Sequence, residues 1–367
     1  MSTKLLSEDH KFMTHHNAIP VGIIEGFFGR SWSYESRCAY AKFLAQHQFD
    51  FYIYAPKNDT YLRRHWQENW PDNTKNELIN LRHIYADNHV AFGIGLSPLE
   101  IWRDTHDRDY SQFKKRLQQL NDLSPDILCI LFDDMRGDLP DLARIQIELT
   151  HIAADISHAN KIIFCPSYYS TDPILEKVFG KMPENYWQDL GKGMDESIEF
   201  FWTGEKVCSE SYSSTHLQSI EDIFQRKVFL WDNYPVNDGA IKSQRLHLLP
   251  FHPSHTEIEP YISGHAVNPM NQAHLSQIPL LGLINAYKNK PHTQMENIFI
   301  EIAGEQLAHE LLKDAELFQT SGLKDLSTDQ KQTYINRYQA YLPNPLATEV
   351  VDWLNGGYIF DPACLTE

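Results

Sequence analysis

A chain of 367 residues is long enough for one large domain or two small ones, and 42% hydrophobic residues supply a sizeable core. Its formal net charge of −17 repels phosphate backbones and anionic lipids, which argues against nucleic acid or a membrane surface as partner. Cys38, Cys129, Cys165, Cys208 and Cys364 are widely spaced without a CxxC pair, which argues against a zinc ribbon or dithiol redox centre and fits a reducing compartment.

Residues 1–17, MSTKLLSEDHKFMTHHN, form a polar segment without the apolar run of a signal peptide. No later stretch approaches the roughly 18 apolar residues that a membrane span needs. A cytoplasmic address is expected. Eight apolar, β-rich runs then follow: Ala18–Phe27, Phe49–Pro56, Val90–Ser97, Ile127–Asp134, Lys161–Tyr169, Ser197–Gly204, Lys227–Tyr234 and the short Gly264–Met270. Between them lie mixed polar and apolar segments long enough for helices, such as Tyr34–His47 and Phe113–Leu123. Strand–helix alternation implies a parallel sheet. Eight successive units predict a closed (β/α)8 TIM barrel over residues 18–290; a doubly wound open sheet is the alternative and usually stops at five to seven strands. Asn271–Tyr287 reads as the eighth helix, and Asn289-Lys290-Pro291 marks a break. Residues 291–367 then read as a small helical appendage. Met295–Phe318 is predicted as one helix, Ser327 with Gln330 as a capping box opening a second, and Pro345 after Asn344 as the start of a third that ends near Gly356-Gly357.

Barrel active sites lie at the C-terminal ends of the strands. The first strand ends in Glu25-Gly26-Phe27-Phe28-Gly29, the second in Ala55-Pro56-Lys57-Asn58-Asp59 and the fourth in Asp133-Asp134. The fifth ends in Tyr168-Tyr169, the sixth in Trp202-Thr203-Gly204, the seventh in Trp231-Asp232-Asn233-Tyr234, reaching Asp238, and the eighth carries Asn268. Carboxylates, amides, one lysine and aromatic rings on a single rim suit a sugar, whose hydroxyls need polar partners and whose ring needs an apolar face.

Asp133-Asp134 is the sharpest feature. Two carboxyls this close do not both ionise easily, so one is expected to hold a proton while the other stays charged. Successive strand residues point to opposite faces, so both reach one pocket only where the strand ends or bulges. A plain helix-capping or solvated pair is the competing reading. Taken singly, Lys57 reads equally as a surface lysine, Asp238 in Asn237-Asp238-Gly239 and Asn268-Pro269 as turns, and Trp202 and Trp231 as core. His247, His252 and His255 lie in a loop broken by Pro250 and Pro253, without the spacing of a metal site, and the same holds for His15-His16.

The segments GIIEGFFGRSW, YIYAPKND, LFDDM, FCPSYY, FWTG, WDNYPVND and VNPM together resemble glycoside hydrolase family 84, the O-GlcNAcase and bacterial β-N-acetylglucosaminidase family, in order over roughly residues 20 to 275. The resemblance implies retaining hydrolysis of terminal β-linked N-acetylglucosamine without a metal or other cofactor, the substrate's 2-acetamido oxygen acting as nucleophile to form an oxazoline. It implies Asp133 as the group that orients the acetamido N–H and Asp134 as general acid and then base. It further implies Gly26 and Lys57 on ring hydroxyls, Asp238 and Asn268 on the far hydroxyls, and Tyr169 and Asn233 near the acetamido group and scissile bond. Cys165, Thr203 and Trp231 are implied around the acetamido methyl. Phe28, Asn58 and Tyr168 depart from the family's usual tyrosine, aspartate and glutamate at those places. The implied substrate is an N-acetylglucosamine-containing glycan or an O-GlcNAc-modified protein. Three other readings compete: a catalytically weak or inactive GlcNAc-binding barrel, a hexosaminidase acting on hyaluronan fragments, and a metal-dependent hydrolase with Asp133, Asp134 and Asp238 as ligands.

Overall fold

The computed structural model describes residues 19–103, 109–288 and 294–359. The polar segment 1–17, Ala18, Cys364 and the Asn289-Lys290-Pro291 break lie outside them. Eight parallel strands close into one barrel: β1 Val21–Glu25, β2 Phe51–Tyr54, β3 Ala91–Leu96, β4 Ile127–Leu131, β5 Lys161–Cys165, β6 Glu199–Trp202, β7 Val228–Asp232 and β8 Ile262–Val267. Closure is made by β8 lying beside β1, with Val21 opposite His265 and Ile23 opposite Val267. Helices follow the strands: α1 Tyr34–His47, α2 Asp72–Asp87, α3 Ser111–Asn121 and α4 Leu142–Ile156 after the first four, then α5 Ile174–Phe179 and α6 Tyr186–Gly193 together after β5. α7 Ser214–Phe224 follows β6, the short α8 Gly239–Lys242 and α9 Ser254–Glu257 follow β7, and α10 Ala273–Tyr287 follows β8.

Strand parity decides what fills the barrel. Gly22, Gly93, Gly95 and Gly264 point inward, where a Cβ would collide with Phe51, Ile53, Ala55 or Leu131, and Phe229. Phe51 and Phe201 meet the edges of Phe229 at 5.7 and 5.6 Å, and Trp231 lies 5.1 Å from Phe201. The alternate residues face the helices. Glu25 is buried there, accepting from Arg37 of α1 at 2.8 and 2.6 Å and from the Tyr52 hydroxyl at 2.5 Å. A buried carboxylate is tolerable only with such complete pairing.

Four further helices follow the barrel: α11 Met295–Ala303, α12 Glu305–Thr320, α13 Thr328–Gln339 and α14 Pro345–Leu354. The single helix predicted over Met295–Phe318 is two, divided at Gly304, whose φ of 72° is a left-handed value that ends α11. The capping box of Ser327 and Gln330 opens α13, and the Asn344 side chain caps α14 with Pro345 in its first turn. These helices are fastened to the barrel. Glu349 accepts from the backbone N–H groups of His274 and Leu275 at 3.0 and 2.8 Å, capping α10, and the Trp353 indole donates to the Ser243 carbonyl at 3.2 Å. Among the described residues no helix is long and apolar enough to cross a membrane.

Candidate active site

The mouth of the barrel opens into a cavity of about 150 Å³ at the C-terminal ends of the strands. The residues that the family resemblance implied for the site all line it: Gly26, Lys57, Asp133, Asp134, Cys165, Tyr169, Thr203, Trp231, Asn233, Asp238 and Asn268. Phe28, Val207, Cys208 and Val236 complete the wall. Parity explains most of this. Lys57 continues the inward row Phe51–Ile53–Ala55, Asp133 follows inward Leu131, and Thr203 follows inward Phe201. Trp231 and Asn233 follow Phe229 on β7, and Asn268 continues the row from Gly264. Trp202 has the opposite parity and packs instead against Trp187 and Phe224 outside the barrel, at 5.5 and 5.6 Å.

Asp134 is the exception to parity, and its backbone resolves the difficulty. β4 ends at Leu131, and Asp134 adopts φ 57°, a left-handed turn that swings its carboxyl back to the side of Asp133. The Arg63 guanidinium braces this turn by donating to the Asp134 carbonyl at 3.2 Å. The two carboxyls then occupy different environments. Lys57 donates directly to Asp133 Oδ2, and its ammonium stands 4.0 Å from Asp134 Oδ2. Asp133 Oδ1 is buried with no hydrogen-bond partner among the described residues. Burial, and then the Asp133 charge, push the Asp134 carboxyl up to about 6 against the opposing Lys57 and Arg63 cations. The Tyr169 hydroxyl faces Asp134 Oδ1 at 3.5 Å, the outer limit of a hydrogen bond.

The far wall is a linked set of amides. Asn233 Oδ1 accepts from the Trp231 indole and from Asn268 Nδ2, both at 2.9 Å, and its own amide donates to the Val207 carbonyl at 2.7 Å. Asn268 Oδ1 accepts from the Gly26 N–H at 3.2 Å. Gly26 has no alternative: a Cβ there would lie 2.5 Å from the Trp231 ring. Asp238 accepts from the Phe28 N–H at 2.9 Å, and burial raises its carboxyl above the ordinary range. Lys57 is buried rather than a surface lysine. Asn58 donates to the Gly29 carbonyl, and the Tyr168 hydroxyl donates to the Gly180 carbonyl at 2.6 Å. Neither departure from the family pattern lines the cavity, whereas Phe28 does. Asp59 is spent on structure, accepting from the Tyr54 hydroxyl and the Trp70 indole at 2.8 Å each and from the Tyr61 N–H at 2.9 Å.

Sequence reading missed Val207 and Cys208, which come from the loop after β6 rather than from a strand end. It also missed a buried support behind the site. Asp232 accepts from Tyr212 at 3.1 Å and is paired with His255 and His265 at 2.5 and 3.0 Å, on the face of β7 opposite Trp231 and Asn233. These histidines hold its carboxyl far below the usual range despite complete burial. His247 bonds the Pro235 carbonyl and His252 the Ser254 hydroxyl. Among the described residues no group of three His, Cys, Asp or Glu side chains could hold a metal ion.

The family model described as beta-N-acetylglucosaminidase matches residues 21–319. Protein O-GlcNAcase from Rattus norvegicus and from Mus musculus are each 26% identical over 277 residues, 73% of this chain. The chain spans about 30% of the length of these curated relatives. A solved variant of the Thermobaculum terrenum O-GlcNAc hydrolase superposes with a TM-score of 0.71 at 25% identity, covering 92% of this chain and 74% of the other. With the family model running over most of the chain and the same barrel in a solved relative, the chain belongs to the beta-N-acetylglucosaminidase family of glycoside hydrolases, family 84, which contains the O-GlcNAcases.

Proposed function

We propose that this chain is a retaining β-N-acetylglucosaminidase of the O-GlcNAcase type, releasing terminal β-linked N-acetylglucosamine by substrate-assisted catalysis. The observation that carries the reading is the division of labour between adjacent carboxyls: Asp133 is paired with Lys57, while Asp134 is raised to about 6. The group bonded to the Lys57 ammonium is placed to accept, and its neighbour holds a proton to higher pH than an ordinary carboxyl, as a general acid needs.

In the first step the acetamido oxygen attacks the anomeric carbon as the glycosidic C–O bond breaks. The unpartnered Oδ1 of Asp133 accepts the acetamido N–H, which makes the carbonyl oxygen a better nucleophile. Asp134 passes its proton to the leaving oxygen. In the second step Asp134, now a carboxylate, takes a proton from water as that water attacks the anomeric carbon, and the oxazoline reopens to the acetamide. Two inversions retain the β configuration. Cys165, Thr203 and Trp231 form the methyl pocket that selects N-acetylglucosamine over glucose. Gly26, through its backbone, and Lys57 hold ring hydroxyls, and Asp238 and Asn268 grip the far ones. Tyr169 and Asn233 bond near the acetamido group and scissile oxygen.

The aglycone is proposed to be an O-GlcNAc-modified protein, as the names of the matched relatives suggest. We assign the chemistry to the barrel over residues 18–290 and a supporting role to the helical region 291–367, whose Glu349 and Trp353 brace the segments behind the site. A cytoplasmic address is proposed from the wide cysteine spacing. The test is hydrolysis of a fluorogenic β-N-acetylglucosaminide with Asp134→Ala and a chelator alongside. Activity that survives the chelator and collapses in the variant is expected. No activity from folded protein points to a GlcNAc-binding barrel, and chelator-sensitive activity to the metal-dependent reading.

A further inference from the structure

A second cavity, of about 550 Å³, adjoins the sugar pocket and shares Cys208 and Asn233 with it. Cys208 forms the lip between the two. The cavity reaches the surface at Pro250 and Thr320 and includes Lys242 and Arg245 among its walls. Lys242 lies against the Cys208 thiol, and among the described residues neither cation forms an ion pair. Glu210 is the one carboxylate of the lining, and its backbone carbonyl bonds His255.

In a chain of net charge −17, Lys242 and Arg245 form no ion pair among the described residues, and Lys242 feels only the longer-range field of Asp238, which leaves both cations beside the reaction centre available to a ligand charge. We propose that this cavity is an aglycone subsite that takes an acidic side chain of a glycosylated peptide, next to the residue bearing the sugar. The proposal rests on the hexosaminidase reading above and narrows its substrate.

The ring content of the cavity favours a peptide side chain over an acidic sugar. A sugar unit is commonly held on an aromatic face left open to it. Here the reaching ring is Tyr234, which is stacked on His247 at 5.6 Å and met edge-on by Phe251 at 4.8 Å. Its hydroxyl is already committed to the Leu249 carbonyl at 2.5 Å. The Ser209 hydroxyl is spent on the Thr203 and Lys206 carbonyls at 3.0 and 3.2 Å, and the Gln319 oxygen accepts from the Leu249 N–H at 3.0 Å, so what remains for a ligand is the charge of Lys242 and Arg245 and the donors of the Gln319 amide. A carboxylate on a short stem uses those groups, and the guanidinium offers it a fork of two donors.

The experiment compares serine-linked β-GlcNAc peptides that differ only in Asp or Ala flanking the serine. The wild type is expected to prefer the acidic peptide in kcat/KM by about fivefold at low salt, the scale of a partly exposed ion pair. The preference is expected to shrink as salt is added. Arg245→Gln, and separately Lys242→Gln, are expected to remove it, while Arg245→Gln leaves hydrolysis of a small fluorogenic β-N-acetylglucosaminide unchanged. Calorimetric binding of the same peptides to Asp134→Asn reads the preference without turnover. An inactive wild type whose Asp134→Asn form still binds the acidic peptide more tightly would therefore sink the hydrolase reading and keep the subsite. Equal binding and turnover of the two peptides overturns the subsite, as does a preference untouched by both substitutions. If Arg245→Gln instead weakens only a GlcNAc–uronic acid disaccharide, the site belongs to an acidic glycan and the peptide proposal is overturned.

Discussion

Replacing Lys57 by methionine removes the cation that separates the two carboxyls while keeping a chain of similar length. Lys57 stands 4.0 Å from Asp134 Oδ2 and lowers its carboxyl against burial and the Asp133 charge. At that distance, with an effective dielectric of about 20, a unit charge is worth about 4 kcal/mol, or roughly three pKa units. Water entering the vacated space screens part of this, so a rise of roughly one to three units above the native value of about 6 is expected. Asp134 acts first as an acid, so activity falls as pH rises through its pKa. The alkaline limb of kcat/KM for a fluorogenic β-N-acetylglucosaminide therefore moves to higher pH in Lys57→Met, on a lower overall rate, because a hydroxyl contact is also lost. Circular dichroism establishes that the variant is folded. An alkaline limb that stays in place, or moves to lower pH, refutes the assignment of that limb to Asp134 beside Lys57.

Other substitutions separate the remaining roles. Asp134→Ala is expected to lose roughly 10²- to 10⁴-fold in turnover on poor leaving groups and least on good ones, since only the former need a proton; an equal loss across a leaving-group series contradicts the acid role. Asp133→Ala is expected to lose a comparable factor whatever the leaving group, measured on the same series. Gly26→Ala forces a Cβ to within 2.5 Å of Trp231 and is expected to displace the ring and cost about 10²-fold in kcat/KM with little change in Tm; retained activity contradicts the tight wall. Glu349, buried and raised to about 8, loses its proton on unfolding above roughly pH 4.3, so its contribution to stability is full below that pH and is lost as pH rises through about 8. Glu349→Gln is expected to flatten that decline in urea melts, and Glu349→Ala to cost about 1–2 kcal/mol through the lost cap on α10.

The barrel was legible because its strands are continuous apolar runs, and the residues at its mouth because they stand at strand ends and match the family's segments; parity along each run accounts for where they point. Once Leu131, Phe201 and Phe229 are known to point inward, Asp133, Thr203, Trp231 and Asn233 follow. Parity gives the wrong face for Asp134: its left-handed φ is a property of the turn after β4, and aspartate there carries no local signal as strong as glycine. β8 was expected over Gly264–Met270 but runs Ile262–Val267. Pro269 lacks a backbone donor and marks where pairing stops, while Ser263 breaks the apolar pattern at the start by facing Glu199 at 2.5 Å. The break at Gly304 was visible as a glycine, but the flanking helical periodicity on both sides masked it. Asp232 read as a rim residue because its partners, Tyr212, His255 and His265, are far away in sequence.

The central claim is that the substrate's own acetamido oxygen is the nucleophile. It is tested most directly by rates on fluorogenic substrates carrying mono-, di- and trifluoroacetamido groups in place of acetamido. Fluorine withdraws electrons from that oxygen, so log kcat/KM is predicted to fall steeply along the series. A flat series, with the trifluoro substrate turned over as fast as the parent, contradicts the account and moves the nucleophile to a water or to a carboxylate of the protein.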